Sequence, residues 1–240
     1  MANKMGAELN QRPSYCCGVA LFISGFLHNN SNTGSGYIYI LFFTAVFVLI
    51  ISEIYKKKKA PFKNLAFSIF GIFYISLPLT LLTYFPNLVH HSGEVAEGAI
   101  RPWKPEIIFL PFLLVWLNDT FAYLCGVTMG RHKLFPRISP KKSWEGAIGG
   151  GIVTIAVALL LPYYEVWQIE GLTITDYAAI AAIAVVFGIF GDLFESMLKR
   201  NVDIKDSGTI MPGHGGILDR LDAVLLVIPA VFAYLLLVHV

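Results

Sequence analysis

Apolar residues fall in long unbroken blocks along this chain, and polar residues are confined to the stretches between them. Six blocks approach the roughly 20 residues that a helix rising about 1.5 Å per residue needs to cross about 30 Å of hydrocarbon. They run approximately over Tyr37–Ile54, Ala66–Phe85, Ile107–Cys125, Ala147–Tyr163, Tyr177–Glu195 and Asp222–Val240. Hydrocarbon offers no water to an open backbone, so each block is expected to be helical. A seventh run, Tyr15–Leu27, is shorter and ends in the polar stretch His28–Gly36. Three readings of it stand: a short span, a helix lying in the interface, or the core of a signal peptide. No small-residue cleavage site follows it, which favours a retained short helix. Pro78 and Pro229 fall inside expected spans and should kink them. The expected fold is therefore all-α: a polytopic transmembrane helical bundle of six long spans with a short N-terminal segment.

Composition agrees with lipid as the main solvent. Hydrophobic residues make up 56% and charged residues 14% of the 240, against about 25% charged in soluble domains. Mean hydropathy is +0.65. The net charge of +2 is too small to suggest a nucleic-acid partner. Cys16, Cys17 and Cys125 give neither a disulfide framework nor a spaced metal motif, and are read as packing residues.

The distribution of charge says more than its sum. Lys56–Lys59 with Lys63, then Arg131, Lys133, Arg137, Lys141 and Lys142, then Lys199, Arg200, Lys205 and Arg220 fill three loops on one side of an alternating topology. Together they hold 14 of the 18 basic residues. The other side carries Arg101 and Lys104, and the loop Tyr164–Asp176 carries none. This bias places the three basic loops in the cytoplasm and the C-terminus outside. Tyr37 is then outside, and counting Tyr15–Leu27 as a seventh span brings the N-terminus in.

Acidic residues at membrane depth are the next signal. Asp119 lies in the cytoplasmic half of the third block, Asp192 and Glu195 close the fifth, and Asp219 and Asp222 open the sixth. Ionisable groups within spans are costly and are functional candidates by default, although a single acid can simply mark where a helix leaves the bilayer. Asp192, Glu195, Ser196 and Lys199 stand at i, i+3, i+4 and i+7 and line one helical face, and Asp219 and Asp222 share another. Carboxylates from two helices meeting at a cytoplasmic mouth form a hard, oxygen-rich environment suited to Mg²⁺. Gly213, Gly215 and Gly216 permit close backbone approach and an anion nest leading into a helix. Lys199, Arg200, Lys205 and Arg220 can add cationic contacts to phosphates.

These residues carry a family resemblance. Ser196-Met197-Leu198-Lys199-Arg200, Lys205-Asp206-Ser207-Gly208, Met211-Pro212 and His214-Gly215-Gly216-Ile217-Leu218-Asp219-Arg220-Leu221-Asp222 together resemble the signature of the phosphatidate cytidylyltransferase (CDP-diglyceride synthase) family. Met211 departs from it, since the family usually has leucine, isoleucine or phenylalanine there. Upstream, Asn118-Asp119-Thr120-Phe121-Ala122-Tyr123, Gly126, Gly130-Arg131 and Ile138-Ser139-Pro140-Lys141-Lys142-Ser143-Trp144-Glu145-Gly146 are similar to further family blocks. The resemblance runs from about Phe109 to the C-terminus; the N-terminal third matches only as hydrophobic spans.

The resemblance implies that the phosphate of phosphatidic acid attacks the α-phosphorus of CTP, releasing pyrophosphate and forming CDP-diacylglycerol. It implies Mg²⁺ (or Mn²⁺) held by Asp192, Asp219 and Asp222, and a homodimer. Asp219 and Asp222 with Lys205 and Arg220 are the expected catalytic set, the two cations contacting the triphosphate or leaving group. Lys141, Lys142 and Ser143, with Lys199, Arg200, Gly215 and Gly216, are expected to bind nucleotide or lipid phosphate, although the first three can instead anchor a loop to anionic lipid. His214 orients a phosphate or completes the turn. Asp119 is a further carboxylate, a partner to one, or a helix end. No role is expected of His28, His90, His91, His132 or His239. The division expected is 1–36 as an N-terminal segment, 37–106 as N-terminal spans and 107–240 as a catalytic domain, in the inner membrane with a cytoplasmic site. Two rivals remain: a CTP-dependent kinase of a long-chain alcohol, and an ion or metal transporter using the same acids. The clustering of the acids at one face argues against the second.

Overall fold

The computed structural model describes residues 7–9, 11–30, 39–56, 59–89, 105–204, 207–208 and 216–239. It packs as two compact units, Met1–Tyr84 and Phe85–Val240.

In the first unit, α1 (Gln11–Asn30) and α2 (Ile40–Tyr55) precede α3 (Pro61–Gly71), which continues through a π-helical turn, Ile72–Ser76, into α4 (Leu77–Leu82). The irregularity expected at Pro78 takes this form. Proline has no N–H for the carbonyl four residues back, and the helix widens just before it. Cys17 and Leu21 of α1, Leu49 of α2 and Ile72 form the core. Cys17 thus packs as expected, while Cys16 is exposed. A polar seam runs beside this core: Asn64 donates from Nδ2 to Glu53 Oε2 at 3.1 Å and accepts at Oδ1 from the Glu8 N–H at 2.8 Å.

The second unit begins with the short helix α5 (Phe85–Leu88). Then come α6 (Glu106–Met129), an antiparallel hairpin of β1 (Lys133–Phe135) and β2 (Ser139–Ser143), α7 (Trp144–Leu160), α8 (Ile174–Arg200) and α9 (Leu218–His239). Local chemistry fixes where these helices start. Ser143 Oγ accepts from the Gly146 N–H to cap α7, and Thr173 with Asp176 forms a reciprocal capping box on α8.

Small residues set the helix spacing. A Cβ at Gly150 of α7 would stand 2.6 Å from the backbone nitrogen of Ala122 in α6. One at Gly191 of α8 would stand 2.7 Å from Cα of Ala223 in α9. Neither pair could approach as it does with any larger side chain, which is how helices associate where lipid removes the hydrophobic drive.

Five helical stretches are long and apolar enough to cross a membrane: Pro61–Leu82, Glu106–Met129, Trp144–Tyr163, Ile174–Arg200 and Leu218–His239. Large apolar side chains such as Phe43, Phe47, Trp116, Ile152 and Leu237 face outward, as they do when the surroundings are lipid. The chain is an integral membrane protein. Of the six expected long spans, the first is a shorter apolar helix, Ile40–Tyr55, among the described residues. The short run Tyr15–Leu27 lies within the 20-residue α1, whose polar ends keep it out of the five. The fifth and sixth spans extend further than their apolar blocks, so Ser196 and Lys199 are helical and Asp219 lies in the first turn of α9.

Candidate functional site

The hairpin was not visible as structure in the sequence, where residues 131–143 read as a basic loop. A turn at Pro136–Ile138, closed by the Ile138 N–H on the Phe135 carbonyl at 3.1 Å, folds it back on itself. Pro136 followed by Arg137 was the available signal. The consequence is spatial. Lys133, Lys141, Lys142 and Ser143 line a cavity of about 590 Å³ whose other walls come from α6, α7 and α8. Asn118 and Asp119 of α6 and Asp192 of α8 supply its remaining polar lining, and Tyr123, Val127, Leu134 and Ile189 are among its apolar groups. A cavity lined by lysines and carboxylates together with aliphatic and aromatic groups suits a ligand with an anionic head and an apolar body.

Three carboxylates from three helices interact at this place. Lys142 Nζ forms an ion pair with Asp192 Oδ2, and Asp192 Oδ1 accepts from Ser196 Oγ at 3.3 Å. Asp119 lies in electrostatic range of both Lys142 and Asp192. Asp222 of α9 lies in range of Asp192, Asp119 and Lys199, and its Oδ1 accepts from the Ala223 N–H at 2.8 Å. The close contact of Gly191 with Ala223 brings Asp192 and Asp222, each the neighbour of one of these residues, toward each other. Asp119, whose role the sequence left open, lies in electrostatic range of Asp192 and Asp222.

Asp219 is held differently. Its Oδ1 accepts from Lys199 Nζ at 2.8 Å and from the Ser207 N–H at 3.2 Å. Its Oδ2 accepts from the Ser207 N–H and Oγ, both at 2.8 Å, and from the Gly216 N–H at 2.7 Å. Lys199 also pairs with Glu195, which is fully buried. Asp219 thus joins the end of α8 to both described edges of the segment before α9. A carboxylate accepting this many donors is satisfied within the protein.

The other expected site residues divide accordingly. Lys199 turns inward onto two carboxylates, and Gly216 donates to Asp219. Arg200 and Arg220 are exposed at the facing ends of α8 and α9. Lys205, His214 and Gly215 lie outside the described residues. Among the described residues, no three His, Cys, Asp or Glu side chains form a group that could hold a metal ion as they stand. The Asp119, Asp192 and Asp222 oxygens are nevertheless the hard donors that Mg²⁺ takes, and the Lys142 ammonium now neutralises one of them. Sequence reasoning missed Lys133 as a cavity residue, buried Asn118, and the contacts of Glu145 described below. Asn118 was visible only as the neighbour of Asp119.

Comparison with known proteins gives a consistent picture. Residues 4–238 match the model of the cytidylyltransferase family. The chain is 37% identical over 188 residues to the phosphatidate cytidylyltransferase of Staphylococcus aureus (strain COL). It is 37% identical over 183 residues to that of Staphylococcus haemolyticus (strain JCSC1435). Each match takes in 76% of this chain, and the chain spans 64% of the length of these relatives.

Proposed function

This chain belongs to the cytidylyltransferase family, and on that premise we propose that it joins CTP to phosphatidic acid, giving CDP-diacylglycerol and pyrophosphate. The observation that carries the proposal is the cavity, whose lysines meet carboxylates from separate helices beside an apolar wall. Attack of one phosphate on another brings two anions together, so neutralising and aligning them is the main task. Lys133, Lys141 and Lys142 attract and orient the phosphates. The apolar wall takes the start of the acyl chains and excludes water from the reacting oxygens. A phosphate monoester is already a competent nucleophile, so no side chain need act as a strong base. Asp192 and Asp222, with Asp119, are the residues to hold Mg²⁺, while Asp219 fixes the segment before α9. Bound there, Mg²⁺ would offset charge on the attacking and leaving oxygens. The bias of basic residues toward these loops, the hairpin among them, supports a site on the cytoplasmic side, where CTP from water and phosphatidic acid from lipid can meet, and the inner membrane is the membrane proposed.

The test is incubation of the purified protein in lipid nanodiscs with labelled CTP, Mg²⁺, phosphatidic acid and a long-chain alcohol, followed by identification of the products. CDP-diacylglycerol with pyrophosphate is expected. Release of CDP with a phosphorylated long-chain alcohol as the only acceptor product would replace the proposal with a kinase. Full turnover after thorough chelation would remove the metal from it.

A further inference from the structure

We propose that Glu145 is a positioning residue: its carboxylate latches the β1–β2 hairpin to the first turn of α7 and so sets where the cavity lysines stand. The inference rests on the proposed function for the identity of the substrates, but not for the latch itself. Glu145 Oε2 accepts from the Arg131 N–H at 3.1 Å, and both its oxygens accept from the His132 N–H at 3.1 Å. Its Oε1 also meets His132 Nδ1 at 2.6 Å. Two consecutive backbone N–H groups converging on one carboxylate form an anion nest, filled here by the chain's own side chain.

The position of this nest gives it consequences. Arg131 and His132 are the last residues before β1, and the Trp144 N–H returns a bond to the His132 carbonyl at 3.0 Å. The start of the hairpin is therefore tied to the start of α7 from both directions. Lys133 follows the nest directly, and Ser143, opposite Lys133 in the hairpin, caps α7. A two-stranded hairpin of three and five residues has little stability of its own. The latch, the Ser143 cap and the Lys142–Asp192 pair are side-chain ties that hold it against the helices. With the latch cut, Lys133, Lys141 and Lys142 keep their charge and lose their fixed position. Substrate affinity depends on that position, because ordering loose lysines at each binding event weakens binding. Turnover of bound substrate depends on the carboxylates of α6, α8 and α9, which the latch does not touch.

The experiment compares wild type, Glu145→Gln and His132→Ala in nanodiscs by hydrogen exchange of residues 131–143 and by steady-state kinetics. Glu145→Gln should lose exchange protection over the hairpin, raise the KM for CTP about tenfold, and keep kcat within about threefold. His132→Ala removes the ring contact but keeps the backbone donors, so it should shift the same quantities in the same direction by less. Unchanged hairpin protection in Glu145→Gln would overturn the latch. A fall in kcat at constant KM would overturn the positioning role. If wild type forms no CDP-lipid, the activity reading fails, and the exchange data still decide the latch.

Discussion

The two ends of the α8–α9 pair use the same residue type in opposite ways. At one end Asp176, almost fully buried, receives Tyr234 Oη on Oδ1 at 2.6 Å and the Thr173 N–H and Oγ1 on Oδ2 at 2.7 and 2.6 Å. His239 Nε2 stands 3.5 Å away. At the other end Asp192, Asp222 and Asp119 lie in one another's electrostatic range, with Lys142 and Lys199 also in range. Asp192 and Asp222 each accept one short-range hydrogen bond from their own helix. A carboxylate surrounded by hydroxyl and amide donors is finished, and holds helices together. Carboxylates held near one another with lysines in range are the set to which the proposal assigns Mg²⁺. Asp219 shares Lys199 with the second group but is bonded like the first.

Substitutions can break this comparison. The largest effect on turnover is expected from Asp192→Asn or Asp222→Asn, with a loss on the order of 10²–10³ or more, as when a preorganised electrostatic group is removed. Thermal unfolding in detergent should change little, because the Asp192–Lys142 pair is partly exposed and such pairs contribute about 0–1 kcal/mol. Near-normal CDP-lipid formation in either variant would remove these residues from the cation site. Asp219→Ala should lower stability and turnover together. It leaves Lys199 with Glu195 alone and takes the acceptor from the Ser207 and Gly216 donors, a cost of about 1–3 kcal/mol. If its unfolding midpoint matches wild type while Mn²⁺ binding, followed by electron paramagnetic resonance, disappears, Asp219 belongs with Asp192 after all. The smallest effect on turnover is expected from Asp176→Ala. It too should cost about 1–3 kcal/mol of stability, with kcat kept within about twofold. A larger drop in kcat would mean the far end of the helix pair governs the site.

The helices were legible in the sequence because lipid leaves the backbone one solution, so an apolar block near 20 residues is a helix whatever its neighbours do. Helix ends were less legible. Ser196, Lys199 and Asp219 extend α8 and α9 beyond their apolar blocks, because a carboxylate and a lysine that satisfy each other can stay helical where hydropathy alone ends the span. The site followed the same rule. Spacing grouped Asp192 and Asp222, since acids at the facing ends of two helices approach each other if the helices do, and the structure puts them in electrostatic range. Lys199 was expected to reach a phosphate and instead lies between Glu195 and Asp219. Spacing placed it on the same face as Glu195, but only the packing of α9 decides which way it turns. The hairpin gave no hydrophobic period to detect, as Lys133–Phe135 and Ser139–Ser143 are too short to show one.

The contact of Gly191 with Ala223 acts as a mechanical stop. One residue along each helix from Asp192 and Asp222 the two backbones touch with no side chain between them. How near the two helices can come at this point is thereby set by hard-sphere contact, which neither salt nor protonation can shorten. A single methyl group added at position 191 would prise the jaws open without altering any charged atom.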